Sequence, residues 1–323
     1  MPSASFKVSY PFDGSNGTHS DLILRSADGV EFRVMKAVLA VASPVFHDMT
    51  TLAEPLLASS EGQRNASAEV SEEGLPIVVM YESNAIVLDA LLRIIYPVVP
   101  PKLEDDNLEL VSGILRAAQK YDMAAVMHVV EYVLRAAAHR NSGERSLEVF
   151  IIACEYRMED LTRLAVNEFL KCPDRSGYFS GLERASASTV FHLYDYKRRV
   201  ADELDILFSP LKKCLPPQLR CIVRDIECSV MNVKPAEGCG SIEMGYYMSS
   251  WWITLRESVR IKIQKAPLSE AAITIGLIAE AVYKSRCCSG CREKVLRQVT
   301  LLEATIKGEM RRLAAEVKFE LPW

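Results

Sequence analysis

The residues best placed to do chemistry are cysteines. In Arg286-Cys287-Cys288-Ser289-Gly290-Cys291, two residues separate Cys288 from Cys291, the gap that lets two thiolates reach one tetrahedral zinc ion. One such pair is half of a site. Cys239, in Glu237-Gly238-Cys239-Gly240, offers a third ligand, with Cys221 and Cys228 as further candidates, although none of these intervals matches a standard zinc knuckle. A redox role would need the same pair at the end of a strand and the start of a helix, and no such pattern precedes it. Inert cysteines at a helix turn are the simplest account, and a structural zinc at Cys239, Cys288 and Cys291 is the alternative.

Other chemistries lack their residues. His19, His47, His128, His139 and His192 never fall in a His-x-x-x-His pair, and there is neither a Gly-x-Ser-x-Gly elbow nor a phosphate-binding Gly-x-x-x-x-Gly-Lys. Gly238, Gly240 and Gly245 miss the dinucleotide spacing. The sequence therefore predicts no enzyme and no catalytic residue. Tyr246, Tyr247, Trp251 and Trp252 could stack nucleobases, but only Arg256, Arg260 and Lys262 lie near them, and an aromatic stripe at helical spacing is a core feature.

Charge agrees with that exclusion. The chain has 323 residues, with 42 acidic against 38 basic side chains, a net charge of -4 and a pI near 5.9, so no global positive field holds a nucleic-acid backbone. Hydrophobic content of 49% and charged content of 25% are ordinary globular values. The amino-terminal Met1-Pro2-Ser3-Ala4-Ser5-Phe6 lacks the basic flank and apolar run of a signal peptide, and the longest apolar stretches fall short of the ~20 residues that span a bilayer. Nine cysteines is an odd count, in a chain long enough to fold without disulfides. Together these features predict reduced thiols in cytoplasm or nucleus, no membrane partner and no nucleic-acid partner.

Length sets a prior of about two domains. Ser20 to Leu24 and Val30 to Val34 flank Asp28-Gly29 and read as a β-hairpin. Lys36 to Ala42 is a short apolar helix, and Ser43-Pro44 restarts one with Ser as cap and Pro in the first turn. Residues 53–76 are polar and acidic and read as a flexible loop, followed by a strand from Pro76 to Met80. Asn84, Asn107 and Asp122 stand at the starts of three amphipathic segments, the last two read as a helical hairpin. Leu147 to Phe169 makes a further helix pair, Ser188 to Leu207 a long helix, and Gly245 to Ile263 an aromatic one, while Ser269 caps a helix with Ile273, Leu277 and Ala281. Val295, Val299, Leu302, Ile306, Met310, Leu313 and Val317 form a heptad-like seam on one last helix. That seam could pair with a second copy or fold back on its own domain. The organisation is thus an arm over 1–18, an α+β domain over 19–140 and a mainly α-helical region over 141–323, divided near 208.

The segment from Ser20 to about Ala138 resembles a BTB/POZ domain. Ser20-Asp21-Leu22-Ile23-Leu24 is similar to that family's opening strand, and Phe32 to Phe46 to its pattern of Phe, Lys, Leu, Ser and Phe, with Met35 where the family usually has His. Ala85 to Tyr96 and Ala117-Ala118-Gln119-Lys120-Tyr121 resemble its helix ending in Tyr and its Ala-x-x-Tyr helix. The whole architecture resembles fungal BTB proteins with a helical carboxy-terminal region, and Leu147 to Leu170 is similar to the BACK-like helix pairs that follow BTB domains in ubiquitin-ligase adaptors. The resemblance implies a non-enzymatic interaction module, commonly a homodimer, with Asp21 and Lys36 as a buried polar pair near the dimer interface. It also implies a cullin scaffold as partner, contacted through a hydrophobic-x-Glu loop for which this chain offers Leu103-Glu104-Asp105, with Asp in place of Glu. A transcriptional or scaffolding regulator that uses the domain only to self-associate is the second expectation.

Overall fold

A computed structural model describes residues 6–15, 20–58, 69–103, 107–140, 145–173, 179–208, 240–243, 246–285 and 289–323. The chain divides into two compact units, Met1–Ala137 and Ala138–Trp323.

The first unit is built on a three-stranded sheet. Strands β1 (Leu22–Ser26) and β2 (Glu31–Val34) pair antiparallel, with Leu22 opposite Val34 and Leu24 opposite Phe32. The turn between them closes through Gly29, at φ 82°, whose N–H donates to the Ser26 carbonyl at 2.9 Å. Asp28 does not share the left-handed conformation. Its carboxylate takes the Ser26 hydroxyl at 2.5 Å and the Ala85 N–H at 2.9 Å, tying the hairpin turn to the start of a distant helix. Strand β3 (Ile77–Met80) pairs parallel with β1, giving the order β2-β1-β3. A parallel neighbour requires a crossover, and the chain supplies it with α1 (Lys36–Ala42) and α2 (Pro44–Ala58). Helix α2 therefore runs six residues, Ala53 to Ala58, into the segment expected as loop, and does so through Pro55. Further along that segment, Ser71 to Leu75 is a closed turn, with the Leu75 N–H on the Ser71 hydroxyl at 3.0 Å, and Val70 bridges Pro76.

Helices α3 (Ala85–Ile95) and α4 (Leu108–Lys120) start at Asn84 and Asn107, whose side chains accept from Val87 and Leu110 at 3.0 and 3.1 Å. They pack closely enough that a Cβ on Gly113 would lie 2.8 Å from a Val87 methyl. Asp122 does not cap the next helix as expected. It sits at φ 50° in the turn that ends α4, its N–H donating to Gln119 and that of Met123 to Ala118, which is a Schellman turn with a non-glycine residue in the left-handed position. Helix α5 (Ala124–His139) follows and buries Val126, Val130 and Leu134.

In the second unit, α6 (Ser146–Glu155) and α7 (Glu159–Phe169) form a tight helical pair joined by the same device. Arg157 lies at φ 52°, its N–H donating to Cys154 and that of Met158 to Ala153. A short 3-10 turn at Ser180–Glu183 precedes α8 (Ala187–Leu207), capped by Ser186. Strands β4 (Gly240–Glu243) and β5 (Tyr246–Ser249) make an antiparallel ribbon, and α9 begins only after it (Ser250–Lys265). The aromatic helix is thus shorter than expected: Tyr246 and Tyr247 are strand residues, in keeping with the preference of aromatics for pleated surfaces, while Trp251 and Trp252 are fully buried core. Helix α10 (Ile275–Lys284) starts at Thr274, whose hydroxyl accepts from Leu277 at 3.1 Å, and not at Ser269, which instead receives the Ala271 N–H in the preceding turn.

The last apolar seam is interrupted. Helices α11 (Ser289–Arg297) and α12 (Val299–Glu316) are separate, with Gln298 between them at φ -110° and the β-branched Val299-Thr300 next. Leu302, Ile306, Met310 and Leu313 are buried where α12 packs on α8 and α10, so the seam folds back within its own unit.

A left-handed conformation costs an L-residue ~1–2 kcal/mol, and the added chain entropy of glycine returns ~0.5–1 of it. Arg157 is exposed, so Arg157→Gly is expected to raise stability by roughly 0.5–1 kcal/mol. A lower denaturation midpoint for that variant would overturn this account of the turn.

Candidate interaction surface

Helix α1 has an unusual composition for an exposed helix. Lys-Ala-Val-Leu-Ala-Val-Ala is apolar on every side after its first residue, yet only Leu39 is buried. Val41 is 92% exposed and Ala37 is also exposed, with Val38, Ala40 and Ala42 half-buried. On α2, Pro44 and His47 are exposed and Met49 is 41% exposed. A helix apolar all round belongs inside a protein or an assembly, and this one is presented at the surface of its chain.

Its presentation is held by polar contacts from other elements. The Asp21 carboxylate, at the start of β1, accepts from the backbone N–H of Lys36 at 2.7 Å. Met35, in the N-cap position of α1, supplies no side-chain bond, so Asp21 does that capping from another strand. Asp21 and Lys36 are therefore brought together, through the main chain of Lys36 and without an ion pair between their side chains. Asp21 is exposed and Lys36 half-buried in the single chain. Met35 donates its own N–H to the Tyr96 hydroxyl at 2.8 Å, and burial raises the phenol pKa of Tyr96, so it stays protonated.

The end of α1 is fixed more firmly. Ser43 is fully buried, donates its hydroxyl to the Tyr121 carbonyl and accepts the Phe46 N–H at 3.1 Å. Phe46 stacks on the Tyr121 ring at 4.8 Å. Burial, with Glu82 beside it, pushes the Tyr121 phenol up to about 12. Burial alone would raise the Glu82 carboxyl, but the Lys120 ammonium at 2.6 Å and the Tyr121 hydroxyl outweigh it and hold the group below its ordinary value. Lys120 also lies 5.2 Å above the Tyr121 ring.

The arm contributes a part that spacing did not reveal. Phe12 is buried, edge-on to Tyr96 at 5.0 Å and near Phe32, with the Arg93 guanidinium 5.6 Å from its ring. Its carbonyl accepts the Arg33 N–H at 3.0 Å, on the outer edge of β2. An isolated aromatic in a Pro-Phe-Asp-Gly stretch carries no periodic signal, and only this contact identifies it.

With this arrangement in view, the comparison with protein families is decisive for the first unit. The match to the BTB/POZ domain runs over residues 14–138. Residues 14–138 are a BTB/POZ domain. Among curated proteins, none matches the chain. The BTB assignment makes this unit a protein-interaction domain, and it accounts for the frame of Phe32, Leu39, Ser43 and Phe46 as the packing that sets α1 and α2 on the sheet. The match begins at Gly14, inside the stretch read as a separate arm.

The remaining expected residues fall elsewhere. Leu103 is half-buried, while Glu104 and Asp105 lie outside the described residues. On α5 of the BTB domain, Val129 and Tyr132 are exposed, Tyr132 to 76%. Cys239 and Cys288 lie outside the described residues, and Cys291 lies within α11 with its side chain outside them. No group of three potential metal ligands occurs among the described residues, and no described helix is long and apolar enough to cross a membrane.

Removing the Ser43 hydroxyl leaves the Phe46 N–H and the Tyr121 carbonyl buried without it. Ser43→Ala is expected to destabilise the BTB domain by about 1–3 kcal/mol, read as a lower denaturant midpoint. Wild-type stability would mean that neither bond contributes.

Proposed function

We propose that the chain is a non-enzymatic interaction protein that self-associates through the outer face of α1 and the adjoining start of α2, and recruits partners to the assembled form. The exposure of α1 carries this reading. Five apolar residues that one chain leaves fully or partly in water, Val41 above all, are stabilised when a second copy covers them, at about 25 cal/mol per Å² of apolar surface removed. A closed twofold dimer uses the same patch on both copies, and a mainly apolar patch satisfies that requirement with little need for charge complementarity. The carboxylate of Asp21 lies at the edge of this face, where it holds the helix start in place.

The finer reading is a substrate adaptor of a cullin-type ubiquitin ligase, working in cytoplasm or nucleus. Its support is local: Leu103 is half-buried in front of Glu104 and Asp105, and Val129 and Tyr132 are exposed on α5. Exposed side chains of this kind can anchor a partner. A scaffolding or transcriptional regulator needs only the self-association.

Val41→Asp places a charge on the proposed interface at a position that contributes little to the fold of one chain. Light scattering on the purified full-length protein should give twice 36.1 kDa for the wild type and one copy for the variant. A wild-type monomer, or a variant that remains dimeric, would remove α1 as the interface. For the adaptor reading, Leu103→Ala with Glu104→Ala is expected to weaken binding of a cullin amino-terminal domain by about tenfold or more, measured by calorimetry. Unchanged affinity would take this loop out of the mechanism.

A further inference from the structure

The second unit holds a pocket of about 530 Å³ between α7, α8, α12 and the chain that follows α12. Its floor is apolar, with Val166, Leu170, Leu268 and Ala314. Its charged lining is of one sign. Arg163, Arg311 and Lys318 line it beside the neutral Asn167 and Tyr196, and among the described residues no carboxylate does, in a protein whose net charge is negative.

The pocket depends on the chain end for one wall. Phe319 packs edge-on against Tyr196 at 5.1 Å and Phe150 at 6.1 Å, and the Tyr196 hydroxyl donates to the Val317 carbonyl at 3.3 Å. These contacts hold Val317, Lys318 and Phe319 along the opening as an ordered rim. The cations there are available for exchange. Arg163 pairs with Glu159 at 2.8 Å and Arg311 with Glu270 at 3.3 Å, both at the surface, where an ion pair is worth about 0–1 kcal/mol. Lys318 has no ion partner among the described residues. An incoming carboxylate that meets two guanidinium forks gains paired, charge-assisted hydrogen bonds.

We propose that this pocket is a docking site for a short acidic peptide segment carrying one bulky apolar side chain, with the carboxylates on Arg163, Arg311 and Lys318 and the apolar group on the floor between Val166 and Leu170. The volume lies in the range of about 300–1,000 Å³ that encloses a drug-sized ligand, roughly the bulk of two or three peptide residues. The inference deepens the proposed function and rests on it, since it names the chemistry of a recruited partner and assigns its recognition to residues of the helical unit.

The test is selection of random dodecapeptides displayed on phage against the full-length protein, followed by fluorescence anisotropy with a labelled copy of the most enriched sequence. The expected result is enrichment of sequences that set Asp or Glu beside Leu, Ile, Phe, Met or Trp. Their affinity should fall at least about tenfold in Arg163→Glu and in Arg311→Glu, and on raising salt from 50 to 500 mM. Arg297→Glu, a charge reversal at an exposed position on α11, should leave binding unchanged. Circular dichroism melts confirm that the variants fold, and Phe319→Ala should weaken binding without a change of charge. Enrichment of sequences without this pairing, or equal binding by the charge-reversed variants, overturns the proposal. So does a thermal shift with decanoate that the reversals abolish while no peptide is enriched, because the site then belongs to a small amphipathic anion. Val41→Asp separates the two hypotheses: peptide binding by a monomeric variant keeps the pocket whatever becomes of the dimer, and failure to bind in a normal dimer removes the pocket alone.

Discussion

A buried hydroxyl is costly to leave without partners, and in the BTB domain Ser43 has partners that join two helices. It satisfies both of its roles at once, giving its proton to the Tyr121 carbonyl at the end of α4 and receiving the Phe46 N–H at the start of α2. The same residue therefore caps one helix and ties it to another that lies far away in sequence. The Phe46 and Tyr121 rings stack across the junction, so the polar tie sits inside an apolar seal that keeps water from competing for it. Shift α4 by half a turn and Ser43 loses its acceptor; lose the cap and α2 has no fixed start.

What hangs from that tie is the exposed face of α1. Its first turn is held by Asp21 and Tyr96, its end by Ser43, and only Leu39 in between is buried. The helix is short, and a short helix is marginal by itself. Its rigidity is borrowed from the sheet, from α3 and from α4, and its remaining apolar side chains stay fully or partly exposed. A surface made this way is preorganised, and little ordering entropy has to be supplied when a partner covers it. The helical unit uses the opposite strategy. It buries its own apolar seams, including the one on α12, and presents charge around a concave floor.

The two left-handed turns show a similar economy. Asp122 and Arg157 occupy positions that glycine fills at lower backbone cost, and in each case the following methionine carries the second hydrogen bond of the turn. Asp is tolerated there better than most residues, which explains why the pattern around it looks like a helix cap when only the sequence is in view. The side chain suggests the start of a helix; the backbone uses it to end one.

Local patterns were enough to place most of the first unit. Asp28-Gly29 marks its turn, Ser43-Pro44, Asn84 and Asn107 mark helix starts, and apolar spacing marks α3, α4, α6 and α7, because caps and periodicity are properties of neighbouring residues. The length of α2, the strand at Tyr246–Ser249 and the break at Gln298 were not legible, since each depends on competition between helix propensity and what the segment packs against. The site residues divide on the same line. Ser43 could be singled out by its place before Pro44, and Asp21 and Lys36 only through the resemblance to the BTB/POZ family, but whether Asp21 meets an ammonium or a backbone N–H is a matter of where β1 lies relative to α1. Phe12, Val41 and the cationic pocket around Arg163, Arg311 and Lys318 were decided by tertiary structure alone. Exposure, and the convergence of residues distant in sequence, are set by how elements pack, and no local sequence pattern encodes them.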